Sequence, residues 1–215
     1  MLSRDAEHLY WLTRYVERLE NTARMINVHS ELMLDFPGDK SLGWKPIIKT
    51  MDSEKLFQNK YSEYSEISAV KFLGDDKENE NSIISSLEMA RYNARAIKDD
   101  LPRSATEQLN NLFNEFSGGM SSSSSRRKRA SYIYNVISGT QRFFGIISDN
   151  FSRGYAFEFM RLGRFVERIE MNSRIIDSLC INKSNEQTHD FHTLEWVSML
   201  RTLSAHESFR KEIRG

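Results

Sequence analysis

The chain has 215 residues, 39% of them hydrophobic and 28% charged, which suffices for one large domain or two small ones around an ordinary core. Lys plus Arg and Asp plus Glu balance at 30 each, so no net field draws the molecule to nucleic acid or an anionic membrane, and any charged site must be local. No apolar run approaches the roughly 18 residues needed to span a bilayer, the N-terminus has no signal-peptide pattern, and the single Cys180 rules out an internal disulfide, so a cytoplasmic protein is expected.

Prolines stand only at 37, 46 and 102, and two-residue alternation is scarce, so the chain reads as almost wholly helical. A first helix is predicted from a Ser3 cap to about Asp35, with Leu9, Leu12, Val16, Leu19, Ala23 and Ile26 spaced three and four apart on one apolar seam. Phe36-Pro37-Gly38-Asp39 stops it. Pro46 suits the first turn of a short helix, and Asp52 or Ser53 can cap another. A helix over 62–73 presents Ile67, Val70 and Phe72 or Leu73, and the acidic run from Gly74 to Asn81 closes it as a solvated loop. Asn81 or Ser82 then caps a helix through Asp100 that carries Ile83, Leu87, Ala90, Ala94 and Ile97, and Leu101-Pro102 breaks it. Ser104 and Glu107 stand at capping-box spacing, in which each side chain satisfies a free backbone N–H, and open a helix to about Phe116.

The Ser/Gly-rich stretch 117–126 has nothing to bury and reads as a flexible loop. Arg126-Arg127-Lys128-Arg129 begins the next helix, whose seam is Ile133, Ile137, Thr140, Phe144 and Ile147. Such a tetrad can bind nucleic acid, but beside a loop in a neutral chain it reads as a solvated helix start. After a break at 150–154 come a long helix over about 155–181, with Cys180 as a buried thiol on its apolar stripe, a polar loop over 182–188 and a helix over about 189–200. A terminal helix opens at a second capping-box spacing, Ser204 to Glu207.

Two of these stretches are near-copies. Arg14, Val16, Glu17, Arg18, Glu20, Arg24 and Ile26 recur as Arg164, Val166, Glu167, Arg168, Glu170, Arg174 and Ile176, each displaced by 150 positions. The expected fold is therefore a single all-α domain over 1–215, a helical bundle built on two pseudo-repeated long helices, about 3–35 and 155–181, with shorter helices packed around them.

At roughly 100° per residue with Leu12 at zero, the seam lies within about 40° of zero, while Glu20, Arg24 and Glu17 fall near 80°, 120° and 140°. They form one charged flank, repeated as Glu167, Glu170 and Arg174; Arg18 and Arg168, near 240°, point to the other flank. These residues can be ordinary intrahelical ion pairs on wet surface, each contributing about 0.3–0.5 kcal/mol. They can also be an interhelical polar network or a partner-binding surface, because solvated positions of a duplicated helix drift freely and these have not. Arg91 and Arg95, an i,i+4 pair, and Arg153 complete such a network if they face the glutamates, and the two on one helix can bind an anion if they face outward.

Four carboxylates on two helices resemble half of a di-iron bundle, but that architecture uses Glu-x-x-His on its partner helices, and neither repeat has a histidine three residues after a glutamate. A carboxylate-only magnesium or manganese site stays open, as does joint ligation by His189 and His192, while His8, His29 and His206 are isolated. No metal or cofactor is assigned. Neither a nucleophile elbow nor a phosphate-cradling glycine loop is present.

The opening run Met1 to Arg24 closely resembles the start of the bacterial alpha-E domain family. Asn81-Ser-Ile-Ile with Ala90-Arg91-Tyr92-Asn93-Ala94-Arg95, Phe159-Met-Arg-Leu-Gly-Arg-Phe-Val-Glu-Arg168, and Trp196 through Ser204-Ala-His-Glu-Ser-Phe-Arg210 are similar to three further segments of that family. The resemblance implies an all-helical protein, often encoded beside an ATP-grasp protein and a transglutaminase-like protein, in a peptide-bond-forming or peptide-modifying system. On that basis the chain is expected to be an accessory subunit binding one of those proteins through its Glu and Arg flanks. The alternative is an enzyme using the paired glutamates for acid/base or carboxylate-metal chemistry. The resemblance carries no catalytic residue over. Family members usually continue past the point where this chain stops, so it reads as a short or shortened member. Thr13 stands where glycine is usual, unlike Gly163, which bears on how closely the first helix can pack.

Overall fold

The computed structural model of the protein describes residues 1–35, 43–117, 125–183 and 189–214. Among these the chain forms ten α-helices and no strand. α1 (Ser3–Asp35) is the axis, and its seam is buried throughout, with Leu9, Leu12, Val16, Leu19, Ala23 and Ile26 all 2% exposed or less. Each such side chain contributes roughly 1.5–3 kcal/mol by leaving water, except the smaller alanine. α2 (Lys45–Thr50), with Pro46 in its first turn, α3 (Glu54–Lys60) and α4 (Glu66–Gly74) follow. α5 (Ile83–Ala96), α6 (Arg103–Ser117) and α7 (Arg126–Asn150) come next, and α5 and α7 lie along α1 while α6 packs on both of them. α8 (Tyr155–Lys183) makes the most extensive contact with α1. α9 (His189–Thr202) lies beside α1, and α10 (His206–Arg214) leans on α9. The two pseudo-repeated helices are thus α1 and α8, packed on each other with the shorter helices around them. Among the described residues no helix is long and apolar enough to cross a membrane.

Several boundaries differ from expectation for local reasons. α4 starts after Ser65, whose hydroxyl accepts from the Ser68 backbone N–H while Ser68 Oγ accepts from Ser65 N–H, a capping box built from two serines. Ile67, expected on the buried face, is 71% exposed, whereas Val70, Phe72 and Leu73 are buried. Ser82, not Asn81, caps α5, and this helix ends at Ala96 rather than Asp100. α6 begins one residue before Ser104, because the Pro102 carbonyl already accepts from the Ala105 and Thr106 N–H groups. Glu107 instead accepts from the exposed Arg103. Ser204 has φ +57°, a left-handed conformation in which it cannot serve as a helix N-cap, and α10 starts at His206. The Phe36–Asp39 stop, residues 118–124 of the Ser/Gly-rich stretch and residues 184–188 of the polar loop lie outside the described residues, as do the side chains of Cys180, His189 and His192.

Candidate functional site at the crossing of the long helices

The backbones of α1 and α8 come closest at a threonine and a glycine. A Cβ placed on Gly163 would lie 2.2 Å from the Tyr10 carbonyl oxygen and 2.5 Å from Thr13 Oγ1, so only glycine fits there. Thr13 Oγ1 donates to the Met160 carbonyl at 2.8 Å. Thr13 and Gly163 are repeat equivalents, and so are Tyr10 and Met160. The two helices therefore exchange corresponding contacts about a local pseudo-two-fold axis. Thr13 does not loosen the packing: it is 1% exposed and occupies the room its glycine counterpart leaves.

One turn further along, the duplicated charges meet in the same reciprocal way. Glu17 accepts from Arg164 Nε at 3.0 Å and Arg168 Nε at 2.6 Å. Glu167 accepts from Arg14 Nε at 2.6 Å, and from Arg18 Nε and Nη2 at 2.6 and 3.0 Å. Both glutamates are 1% exposed. A lone carboxylate could not be buried this deeply; two guanidinium groups on each make it tolerable, since charge-assisted bonds replace the lost water. The Glu-Arg dipeptides 17–18 and 167–168 thus clasp each other, with Arg18 on Glu167 and Arg168 on Glu17.

Around this centre the arginines rest on aromatic rings, Arg18 over Tyr15 at 5.5 Å and Arg164 over Phe144 at 3.6 Å. Burial works against the charge on Arg14, yet the Tyr10 hydroxyl and Glu167 outweigh it and hold the guanidinium more firmly protonated than usual. Arg168 is raised likewise, with Glu17 and the charge of Glu20 overcoming burial. Glu170 is held below the usual carboxylate range because Arg14 and Arg174 outweigh its desolvation. At the periphery Arg24 pairs with Glu20 and Arg174 with Glu170, both i,i+4 within one helix.

The symmetry fails at one point. Arg14 also bonds Glu170, but the equivalent Arg164 lies on Phe144, and the buried Glu20 Oε2 has no hydrogen-bond partner among the described residues.

The charges are therefore not a flank beside the seam. Arg18 and Arg168, expected to point away from the glutamates, bond them across the crossing. The physical reason is that the contact arc on α1 runs from Thr13 near 100° through Glu17 and Arg14 to Arg18 near 240°, and long guanidinium stems reach across it. Arg91 and Arg95 do not join this network, because α5 packs on the seam and not on that arc. Arg91 donates to Asn110 Oδ1 at 2.9 Å and lies over the Phe113 ring, while Arg95 is exposed. Arg153 turns to the Ser148 carbonyl and the Phe157 ring. Arg126 and Arg129, from the basic tetrad, pair with Glu66.

Sequence reasoning passed over two histidines. His8 Nδ1 is 2.9 Å from Asn93 Oδ1, joining α1 to α5, and buried His29 donates from Nε2 to the Gly43 carbonyl. His29 lies off the main seam, on the side of α1 that buries Met25 and Leu32, so the seam pattern gave no signal for it. Chemically, the oxygens of Glu17 and Glu167 are engaged by arginines of the opposite helix, and among the described residues no three His, Cys, Asp or Glu side chains converge as metal ligands. Arg174, at the end of the network, opens onto a cleft of about 510 Å³ lined also by Lys49, Asp52, Glu54 and Asp177.

The model of the Alpha-E family, a predicted alpha-helical domain with a conserved ER motif, matches residues 1–215, and the chain belongs to that family. No curated protein and no solved structure matches it.

Proposed function

We propose that this Alpha-E chain is an accessory, partner-binding protein whose duplicated ER motif is an internal clasp rather than a reactive centre. The observation that supports this is the reciprocal pairing of Glu17-Arg18 with Glu167-Arg168. A carboxylate engaged by two guanidinium groups offers little to a substrate, and its contribution goes into fixing how the two helices cross. A protein whose most elaborate polar structure serves its own architecture acts through its surface.

Resemblance to the bacterial alpha-E family supplies the setting: a cytoplasmic peptide-bond-forming or peptide-modifying system with an ATP-grasp-type or transglutaminase-like partner. Affinity purification of the tagged chain from its native host tests this, the expected result being retention of such a protein. Its absence would count against the reading. The enzyme alternative draws on one observation, the buried oxygen of Glu20 that has no hydrogen-bond partner among the described residues. It predicts an activity of the purified chain alone that Glu20→Gln abolishes without lowering thermal stability, and finding one would displace the accessory reading.

A further inference from the structure

The two copies of the long helix bury the same residues where they face each other and differ where they face away. Leu12, Leu19 and Ile26 on α1 are 2% exposed or less, but their equivalents on α8, Leu162, Ile169 and Ile176, are 52%, 66% and 47% exposed. Phe165, beside them, is 43% exposed, and its counterpart Tyr15 is half-buried. Leu162, Phe165, Ile169 and Ile176 are spaced by three, four and seven residues, the repeat of a helix-packing seam. Solvated positions of a duplicated helix are free to become polar. Leu162, Val166, Ile169 and Ile176 have stayed apolar, and only Ala23 gave way to a polar residue, Ser173. The N-terminal end of this face forms an open groove of about 400 Å³ between Tyr155, Phe159, Leu162 and Phe165.

The molecule contains its own example of what covers such a seam. On α1 the cover includes α5, which packs along it, buries Ile83, Leu87, Ala90 and Ala94 in the common core and sets Asn93 against His8; small alanines in such a stripe let helix axes approach closely. We propose that the exposed seam of α8 docks a helix of a partner protein that carries the stripe of α5, apolar residues at the positions of Ile83 and Leu87 and small ones at those of Ala90 and Ala94. Glu158 stands at the position of His8, so the partner helix carries a hydrogen-bond donor at the position of Asn93. This rests on the partner-binding reading and gives it a surface. A second copy of the chain fits less well: its α5 is engaged on its own α1, and antiparallel seam-to-seam pairing sets the Arg161 and Arg168 edge against itself.

The test uses the full chain and a fluorescent synthetic peptide of residues 81–98, which spans α5 and its serine cap. Saturable binding is expected, weakened about tenfold or more by Leu162→Glu or Ile169→Glu, and lost for a peptide carrying Leu87→Glu and Ala90→Glu. Both protein substitutions fall at exposed sites, and unchanged circular dichroism and melting temperature confirm that the fold is kept. Binding indifferent to both protein substitutions overturns the proposal. So does a sedimentation profile in which the chain self-associates and Ile169→Glu makes it monomeric, since the occupant is then a second copy. If no peptide binds while the native partner is retained by both wild type and Ile169→Glu, this proposal fails and the accessory reading stands. Peptide binding with no partner retained from the host supports the seam and counts against the accessory reading.

Discussion

Glu17 and Glu167 are equivalent in the repeat and equally buried, yet their removal should not cost the same. Replacing Glu167 by alanine removes the anion shared by Arg14 and Arg18, whose side chains are only 11% and 15% exposed. Arg14 keeps Glu170, but Arg18 is left with no bonded anion. A buried charge deprived of its partner costs about 3 kcal/mol or more. Replacing Glu17 strands Arg164 and Arg168, which are 31% and 39% exposed and can turn to water, so about 1–2 kcal/mol is expected. Urea unfolding followed by helical circular dichroism measures both, provided the slopes of the two variants agree with wild type. Adding Arg18→Met to Glu167→Ala should recover part of the loss, because it removes the stranded charge. Equal costs for the two glutamates within about 0.5 kcal/mol, or a larger cost at Glu17, would refute the assignment of the penalty to unpaired arginines.

Gly163→Ala should destabilise by about 1–3 kcal/mol through overpacking against the Tyr10 carbonyl, although alanine is the better helix former by roughly 1 kcal/mol; a calorimetric melting temperature decides the sign. Ser82→Ala should cost about 1 kcal/mol through loss of the α5 cap, while Ser104→Ala and Ser204→Ala should stay within about 0.5 kcal/mol, read from urea midpoints. Burial holds the His29 imidazole below its usual range, with the Gly43 carbonyl offsetting only part of it. The unfolded chain therefore protonates first, and stability is full above about pH 6.5 and declines as pH falls through that value towards the folded pKa. His29→Gln, which can still donate to Gly43 but does not titrate, should flatten that part of the stability profile.

How much of this was legible in the sequence depends on whether a feature is local. α1 could be recognised because its seam is continuous and every turn of it is buried, although Ser3, expected as the cap, lies inside the helix, whose first N–H groups donate to the Leu2 carbonyl. Capping boxes were less readable, since the spacing alone does not specify the backbone: Ser204 is left-handed and Ser104 lies inside a helix already begun at Arg103, whereas the box at α4 uses Ser68 in place of glutamate. The duplicated charges could be recognised as constrained, but their reciprocity could not. A helical wheel orders residues around one axis and is silent on which arc meets another helix, so Arg18 and Arg168 were placed on the wrong side. The contrast of Thr13 with Gly163 was visible and bore on close packing, because a glycine inside a long helix costs about 1 kcal/mol relative to alanine and calls for a close neighbour, but it did not say which residues of the other helix that neighbour would be.

The reciprocal clasp also accounts for why the charged positions of the repeat match so closely. Substituting Glu17 deprives Arg164 and Arg168 of their shared anion, and substituting Arg18 leaves Glu167 with Arg14 alone, so each residue is held by partners on the opposite copy and neither helix can drift alone. The seams lack that mutual constraint. The seam of α1 is held by α5 and α7, whereas that of α8 has no comparable cover among the described residues and yet remains apolar. The two features connect mechanically: the clasp and the Thr13–Gly163 contact fix the crossing, and the crossing determines which side of α8 faces outward. Substitutions in the clasp should therefore lower stability and docking together, whereas Ile169→Glu should abolish docking alone, and it is this separation that distinguishes an architectural motif from the surface it presents.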